Sequence, residues 1–311
     1  MMDWTDRHCR FFLRLLSPHA RLYTEMLTAA SLIHGDATRL LLFNEEEHPV
    51  ALQLGGCDPE MMSRAARLGE LQGYDEININ VGCPSDRVQS GQFGACLMGQ
   101  PELVAACVAA MRDVVSIPVT VKTRIGIDDH DSYEFLRRFI DAVAAAGCET
   151  FIVHARKAIL EGLSPKDNRS VPPLDYSRVY RLKQDRPDLG IVLNGGITTL
   201  DQVREYLSHV DAVMIGRQAY QDPWFLTGLE QAFHATPIPG RQHVIEQMAV
   251  YMERELGRGV ALKHMTRHLL GLFNGQPGAR LWRRYLSENA HRPDAGIEVL
   301  YSALDKLPKA A

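Results

Sequence analysis

The chain has no run of 18 or more apolar residues, so no membrane-spanning helix is expected. Its six cysteines, Cys9, Cys57, Cys83, Cys96, Cys107 and Cys148, form no CxxC pair. That scatter argues against a zinc site and a disulfide framework, and for a reducing cytoplasm and no metal. The stretch Met1-Met2-Asp3-Trp4-Thr5-Asp6-Arg7 lacks the pattern of a signal peptide. Neither GxGxxG nor a Walker sequence occurs, which excludes a Rossmann or P-loop site.

What is present is ordinary in bulk. The 311 residues are 46% apolar and 23% charged, enough for one large soluble domain, or one large and one small. The formal charge of −4 hides an asymmetry. From Arg241 onward, 11 Lys and Arg face 7 Asp and Glu, a net of +4, and the preceding 240 residues carry −8. A basic tail on an acidic body suggests either a polyanionic partner at that end or a solvated helical face.

Apolar strands alternate with amphipathic helices, the pattern of a parallel sheet covered by helices. Residues 7–16 read as a helix. Strands are expected at 22–26, 50–54, 74–79, 118–122, 150–153, 191–193 and 212–215, with helices at 58–72, 101–115, 132–146, 176–184 and 200–207 between them. That is seven strands, where a closed (β/α)8 TIM barrel needs eight. The missing one belongs before the first helix, so the first strand is expected to be truncated, with Met1 and Met2 where its loop would lie. After a Pro/Gly-rich linker, 242–256, 262–273, 278–289 and 296–307 read as helices of a small all-helical domain. The expected division is 1–234 barrel, 235–241 linker and 242–311 helical domain.

The stretch Asn78-Ile79-Asn80-Val81-Gly82-Cys83-Pro84-Ser85 stands out. A strand ends in a turn stiffened by Gly82 and Pro84, with a thiol on it. Cys83 alone reads more readily as an inert buried thiol. In a βα barrel, however, function sits at the C-terminal strand ends. There the chain offers Gln53, Asn80 with Cys83, Lys122 with Arg124, His154 with Arg156, Asn194-Gly195-Gly196 and Gly216-Arg217. The last two groups fall where such barrels bind phosphate, through glycine amides, a helix N-terminus and the Arg217 fork. A phosphate there, with Gln53, Lys122 and His154 around the cavity, suits flavin mononucleotide (FMN). Lys122 would face the ring edge that turns anionic on reduction, and Gln53 would donate to the ring.

On the motifs NINVGCPS (78–85), GQFGACLM (91–98), VKTR (121–124), VHARK (153–157), NGGI (194–197) and Gly216–Arg217, the sequence resembles the tRNA-dihydrouridine synthases. Met2–Arg7 (MDWTDR) and Trp282–His291 (WRRYLSENAH) resemble the bacterial subfamily acting on D-loop uridines 20 and 20a. The family's Ala-Pro before the N-terminal Met is absent here, which agrees with a missing first strand.

The resemblance implies an FMN held by Met1, Met2, Gln53, Lys122, His154, Asn194, Gly195, Gly196, Gly216 and Arg217, reduced by NADPH. It implies hydride transfer to C6 of a tRNA uridine and a proton from Cys83 to C5. A thiol is mostly protonated at neutral pH, which suits an acid better than a nucleophile. The base must leave its stack to reach the flavin. Asn80 would touch the uracil, and Ser164, Asp167, Arg280 and Arg283 would orient the tRNA. No further partner is implied, and a monomer is expected. Three alternatives stay open: a flavin barrel enzyme for a small dihydropyrimidine, a non-catalytic tRNA-binding protein, and a barrel unable to hold flavin.

Overall fold

The computed structural model describes residues 1–85 and 93–308. Gly91 and Gln92, the start of the GQFGACLM motif, lie outside the described residues. The chain divides into two compact units, one of Met1, Tyr23–Phe43 and His48–Gly216, the other of Met2–Leu22, Asn44–Glu47 and Arg217 onward.

The first unit holds a seven-stranded sheet: β1 (Leu22–Thr28), β2 (Val50–Gly55), β3 (Glu76–Val81), β4 (Val119–Arg124), β5 (Thr150–His154), β6 (Gly190–Asn194) and β7 (Ala212–Met214). All seven expected strands form. Their spatial order is their chain order, and β2 to β7 pair in parallel. An order that never reverses is that of a (β/α) barrel, where doubly wound sheets reverse at a switch point. Among the described residues no eighth strand pairs with β1 or β7.

Local chemistry sets the connecting helices. Asp58 caps the helix Pro59–Gln72, accepting from the Met61 amide at 2.8 Å, and Gly73 ends it at φ 104°. Ser132 caps Tyr133–Ala145 in the same way. Helix Pro59–Gln72 also fixes which strand face is which. A methyl added at Gly69 would lie 2.6 Å from Leu52 Cδ2 and 2.7 Å from Ile77 Cδ1, so Leu52 and Ile77 face the helices. Alternation along a strand then turns Gln53, Glu76, Asn78 and Asn80 to the opposite, interior face. The helix-facing set (Leu52, Leu54, Ile77, Ile79, Val121) is fully buried, at about 1.5–3 kcal/mol each.

After β1 come two short helices that the sequence reading did not name, Ala29–His34 and Ala37–Leu40, capped by Thr28 and Asp36. Six and four residues are too few for periodicity to reveal.

In the second unit the helix Arg7–Leu16 packs on Arg241–Gly257, with Phe11 stacked on Tyr251 at 3.9 Å. Buried polar groups pair around it. His8 Nδ1 lies 2.6 Å from the Tyr251 hydroxyl, Arg10 donates to Glu47 at 2.5 Å, and Arg7 pairs with Glu255. Burial pushes the Glu47 carboxyl up, and Arg10 opposes that push. Burial likewise lowers His8 to about 4, aided by Arg7.

The C-terminal helices are Ala279–Asn289 and Glu298–Leu304, close to the expected spans. The expected helix at 262–273 is helical only over Lys263–Thr266. Beyond it the Leu269 carbonyl accepts the Trp282 indole at 3.0 Å, and the Leu272 carbonyl accepts Arg241 at 3.0 Å. Acceptors captured by side chains leave the run as i→i−3 turns. Phe225–His234 is a further helix that the sequence reading did not name.

Candidate active site

Cys83 sits half-buried on the turn after β3. Asn80 Oδ1 accepts the amides of Gly82 at 3.0 Å and Cys83 at 2.9 Å, closing the turn from below. The Cys83 carbonyl accepts the Ala95 amide at 2.9 Å, and its Sγ lies 3.4 Å from Ser85 Oγ. The thiol is therefore held on both sides by backbone, on a strand end, as a reactive group requires.

The interior face beneath it is polar, where barrel interiors are usually filled with branched apolar side chains. Register places Gln53 beside Asn78, Asn78 beside Thr120, and Asn80 beside Lys122. Gln53 Nε2 donates to Asn78 Oδ1 at 2.9 Å, and Asn80 Nδ2 donates to Gln53 Oε1 at 2.8 Å. Glu76, Asn78 and Thr120 belong to this face and were missed from the sequence. The signal was the strict alternation in Glu76-Ile77-Asn78-Ile79-Asn80, which a reading of strands as apolar runs passes over.

Lys122 stands half-buried on the same face, with no hydrogen bond or ion pair among the described residues. Burial, and then the Arg124 guanidinium, lower its ammonium to about 8, and Cys83 pulls the other way.

Arg124 is buried, and burial lowers it to about 10. Its fork donates to the carbonyls of Gly82 at 2.8 Å, Lys157 at 3.0 Å and Asn168 at 3.0 Å. One guanidinium thus ties the Cys83 turn to the loop after β5. A lysine has a single nitrogen and no planar fork. Arg124→Lys is expected to cost about 1–3 kcal/mol of unfolding free energy, as buried carbonyls lose donors. Urea denaturation of the two proteins checks this.

The loop after β5 carries Ser164 and Asp167, which bond to each other. Ser164 Oγ donates to Asp167 Oδ2 at 2.6 Å and accepts the Asp167 amide at 3.1 Å. Asp167 therefore has a local partner, which accounts for an acidic group on a surface expected to meet RNA. Asn168, fully buried, pins the loop through Ile159 at both ends.

His154 and Asn194 share register, and Asn194 Nδ2 donates to the Met214 carbonyl at 2.8 Å. Gly195 and Gly196 take φ 117° and 70°. A methyl on Gly195 would come within 2.6 Å of His154 Cδ2, and one on Gly196 within 2.6 Å of Leu174 Cδ1. Both glycines are therefore required by conformation and by space.

The helix that follows, Leu200–Leu207, opens on a capping box, in which the Thr199 hydroxyl accepts the Gln202 amide at 3.2 Å. Its capping box turns Gln202 Oε1 onto the amides of Thr198 at 2.9 Å and Thr199 at 3.1 Å. Gly216 does not take a left-handed φ, and a methyl there would lie 3.6 Å from Met1 Sδ.

Met2 and Arg217 belong to the second unit. Met2 is exposed, and Arg217 opens the short helix Arg217–Gln221. In that unit Arg280 and Arg283 are exposed on the helix Ala279–Asn289. Arg283 donates to Asn274 at 2.8 Å, and Arg284 pairs with Glu288 at 2.7 Å.

A parallel barrel-type sheet with a fixed thiol, a lysine ammonium unpaired among the described residues and a glycine turn at its strand ends defines an α/β-barrel enzyme. A model of the Dihydrouridine synthase (Dus) family matches residues 1–307, and the chain belongs to that family of oxidoreductases. It is 60% identical over 311 residues to the tRNA-dihydrouridine(20/20a) synthase of Vibrio cholerae, covering 99% of this chain and 95% of that protein. It is 61% identical over 307 residues to the protein of the same name from Salmonella typhimurium, covering 98% and 92%. The Escherichia coli K12 protein of that name is 60% identical over 311 residues, covering 98% and 89%. Among solved structures, a 2-naphthoyl-CoA reductase complex superposes with a TM-score of 0.56 at 10% identity, covering 74% of this chain and 47% of that one. That likeness concerns the fold alone.

Proposed function

We propose that this chain reduces the C5–C6 double bond of uridines 20 and 20a in the tRNA D-loop, using FMN and NADPH. The observation that carries the reading is the Cys83 turn, held by Asn80 over a polar barrel face, in a chain about 60% identical to synthases of that name. The residues present fit the cofactor. Lys122 has no ion pair among the described residues and burial works against its charge, which an anionic ring edge would relieve. Gly195 and Gly196 take left-handed backbone conformations, of the kind whose amides can turn toward a phosphate. Met1, Met2, Gln53, His154, Asn194, Gly216 and Arg217 complete the proposed set. When bound, reduced FMN supplies hydride for C6 of the uracil.

The chain's own part is positioning and proton supply. Cys83 Sγ–H gives the proton to C5 and Asn80 orients the base. The barrel of residues 1–234 houses the chemistry, 235–241 link, and the helical 242–311 grip the tRNA, in the cytoplasm. Ser164 and Asp167 present a polar edge to the RNA, and Arg280 and Arg283 meet its phosphates.

Reversing Arg280 and Arg283 to Glu is expected to weaken tRNA binding and flatten the slope of log affinity against log salt by about 2. Filter binding at several salt concentrations measures it, and an unchanged slope removes both arginines from the interface. The function itself is tested spectroscopically. The flavin bleaches with NADPH without oxygen and recovers when unmodified tRNA is added. Bleaching without recovery assigns the enzyme another acceptor.

A further inference from the structure

The polar groups below Cys83 form one continuous hydrogen-bond chain with one direction. The amides of Gly82 and Cys83 donate to Asn80 Oδ1, and Asn80 Nδ2 donates to Gln53 Oε1 at 2.8 Å. Gln53 Nε2 donates to Asn78 Oδ1 at 2.9 Å, and Asn78 Nδ2 to Thr120 Oγ1 at 2.8 Å. Thr120 Oγ1 donates to Glu76 Oε1 at 2.6 Å, where the Tyr23 hydroxyl also arrives at 3.1 Å. Glu76, Asn78, Thr120 and Gln53 are 2%, 0%, 3% and 8% exposed, so water does not compete for these bonds.

The two ends of the chain fix its sense. Backbone amides can only donate, and at the far end Glu76 Oε1 accepts from two hydroxyls. Each carboxamide between them has one workable orientation. Turning any one around sets donor against donor on one side and acceptor against acceptor on the other. A wholesale reversal is closed at both ends.

We propose that Glu76, Thr120 and Asn78 are positioning residues for the thiol. The Glu76 carboxylate polarises the chain, and the chain holds Asn80 with its oxygen toward Gly82 and Cys83. The acid is thereby fixed from the opposite end of the strand. None of the three touches the turn. This rests on the reading of Cys83 as proton donor for its catalytic consequence, but not for its structural one.

Three variants test it. Glu76→Gln keeps the shape and supplies a donor that works against the native sense at Thr120 and Asn78, leaving only the turn amides to hold Asn80. Thr120→Val keeps the shape and cuts a link. Thr120→Ser restores the hydroxyl. Deuterium exchange of the peptide holding Gly82 and Cys83 reads the turn directly. Flavin reduction by NADPH and reoxidation by saturating tRNA are timed separately.

Glu76→Gln and Thr120→Val are expected to speed exchange at Gly82 and Cys83 and to slow reoxidation, each about tenfold, as misplacement of a proton donor does. Reduction stays near native, and Thr120→Ser restores the other two values. Native exchange in both Glu76→Gln and Thr120→Val overturns the proposal, and so does equal slowing of both half-reactions, which places the chain's role in seating the flavin. If the native protein is not reoxidised by tRNA, the functional reading fails, while the exchange result still decides whether the chain holds the turn.

Discussion

Cys83→Ala is expected to keep its flavin and its reduction by NADPH, and to lose tRNA-dependent reoxidation by about 100-fold or more, the usual contribution of a positioned proton donor. The structure separates the two effects. The turn is closed by backbone groups, the amides of Gly82 and Cys83 on Asn80 and the Cys83 carbonyl on Ala95, none of which needs the sulfur. The substitution removes the proposed acid without unpinning the loop. Stopped-flow absorbance of the flavin band, with NADPH and then tRNA, gives both rates in one preparation. Reoxidation at the native rate would move the proton source to another group.

The second large effect concerns Lys122. Burial holds its ammonium at about 8, below the ordinary 10.5. Between those values the unfolded chain carries a proton that the folded chain has shed, so folding stability rises with pH from about 8 to 10.5. Below about 8 the full cost of burying the charge is present. Lys122→Met removes that cost. The flavin-free variant is expected to melt higher than flavin-free native protein at pH 7, by about 2–4 °C per kcal/mol gained, and to lose the rise above pH 8. The same variant is expected to lose its yellow colour on gel filtration, because the ammonium is what an anionic ring edge would use. A group kept at a stability cost and needed only with ligand bound is the expected signature of a binding residue. A variant that melts lower yet retains flavin would reverse the assignment.

The sheet could be read from sequence because the β2 to β7 strands each have a mostly apolar face and several are followed by capped helices. Residues such as Asp58-Pro59, Gly73 and Ser132 announce those helices locally. The strand-end positions followed from the fold alone. The interior face did not, because Glu76, Asn78 and Thr120 look like strand defects until register sets them beside one another. The short helices Ala29–His34 and Ala37–Leu40 carry too few residues to show a period. The run after Thr266 was over-read as a helix because the indole and guanidinium that take its carbonyls come from Trp282 and Arg241, 13 and 31 residues away. Asp167 illustrates the reverse case. The resemblance marked it, and the Ser164 hydroxyl explains it.

Arg124 has a mechanical consequence. Its guanidinium grips Gly82 on one side and Lys157 and Asn168 on the other, and Asn168 in turn pins the segment bearing Ser164. The two loops share one anchor and cannot swing independently without stripping it. Any rearrangement that admits a nucleotide therefore moves both rims as one rigid jaw, and its kinetics should show a single step rather than two.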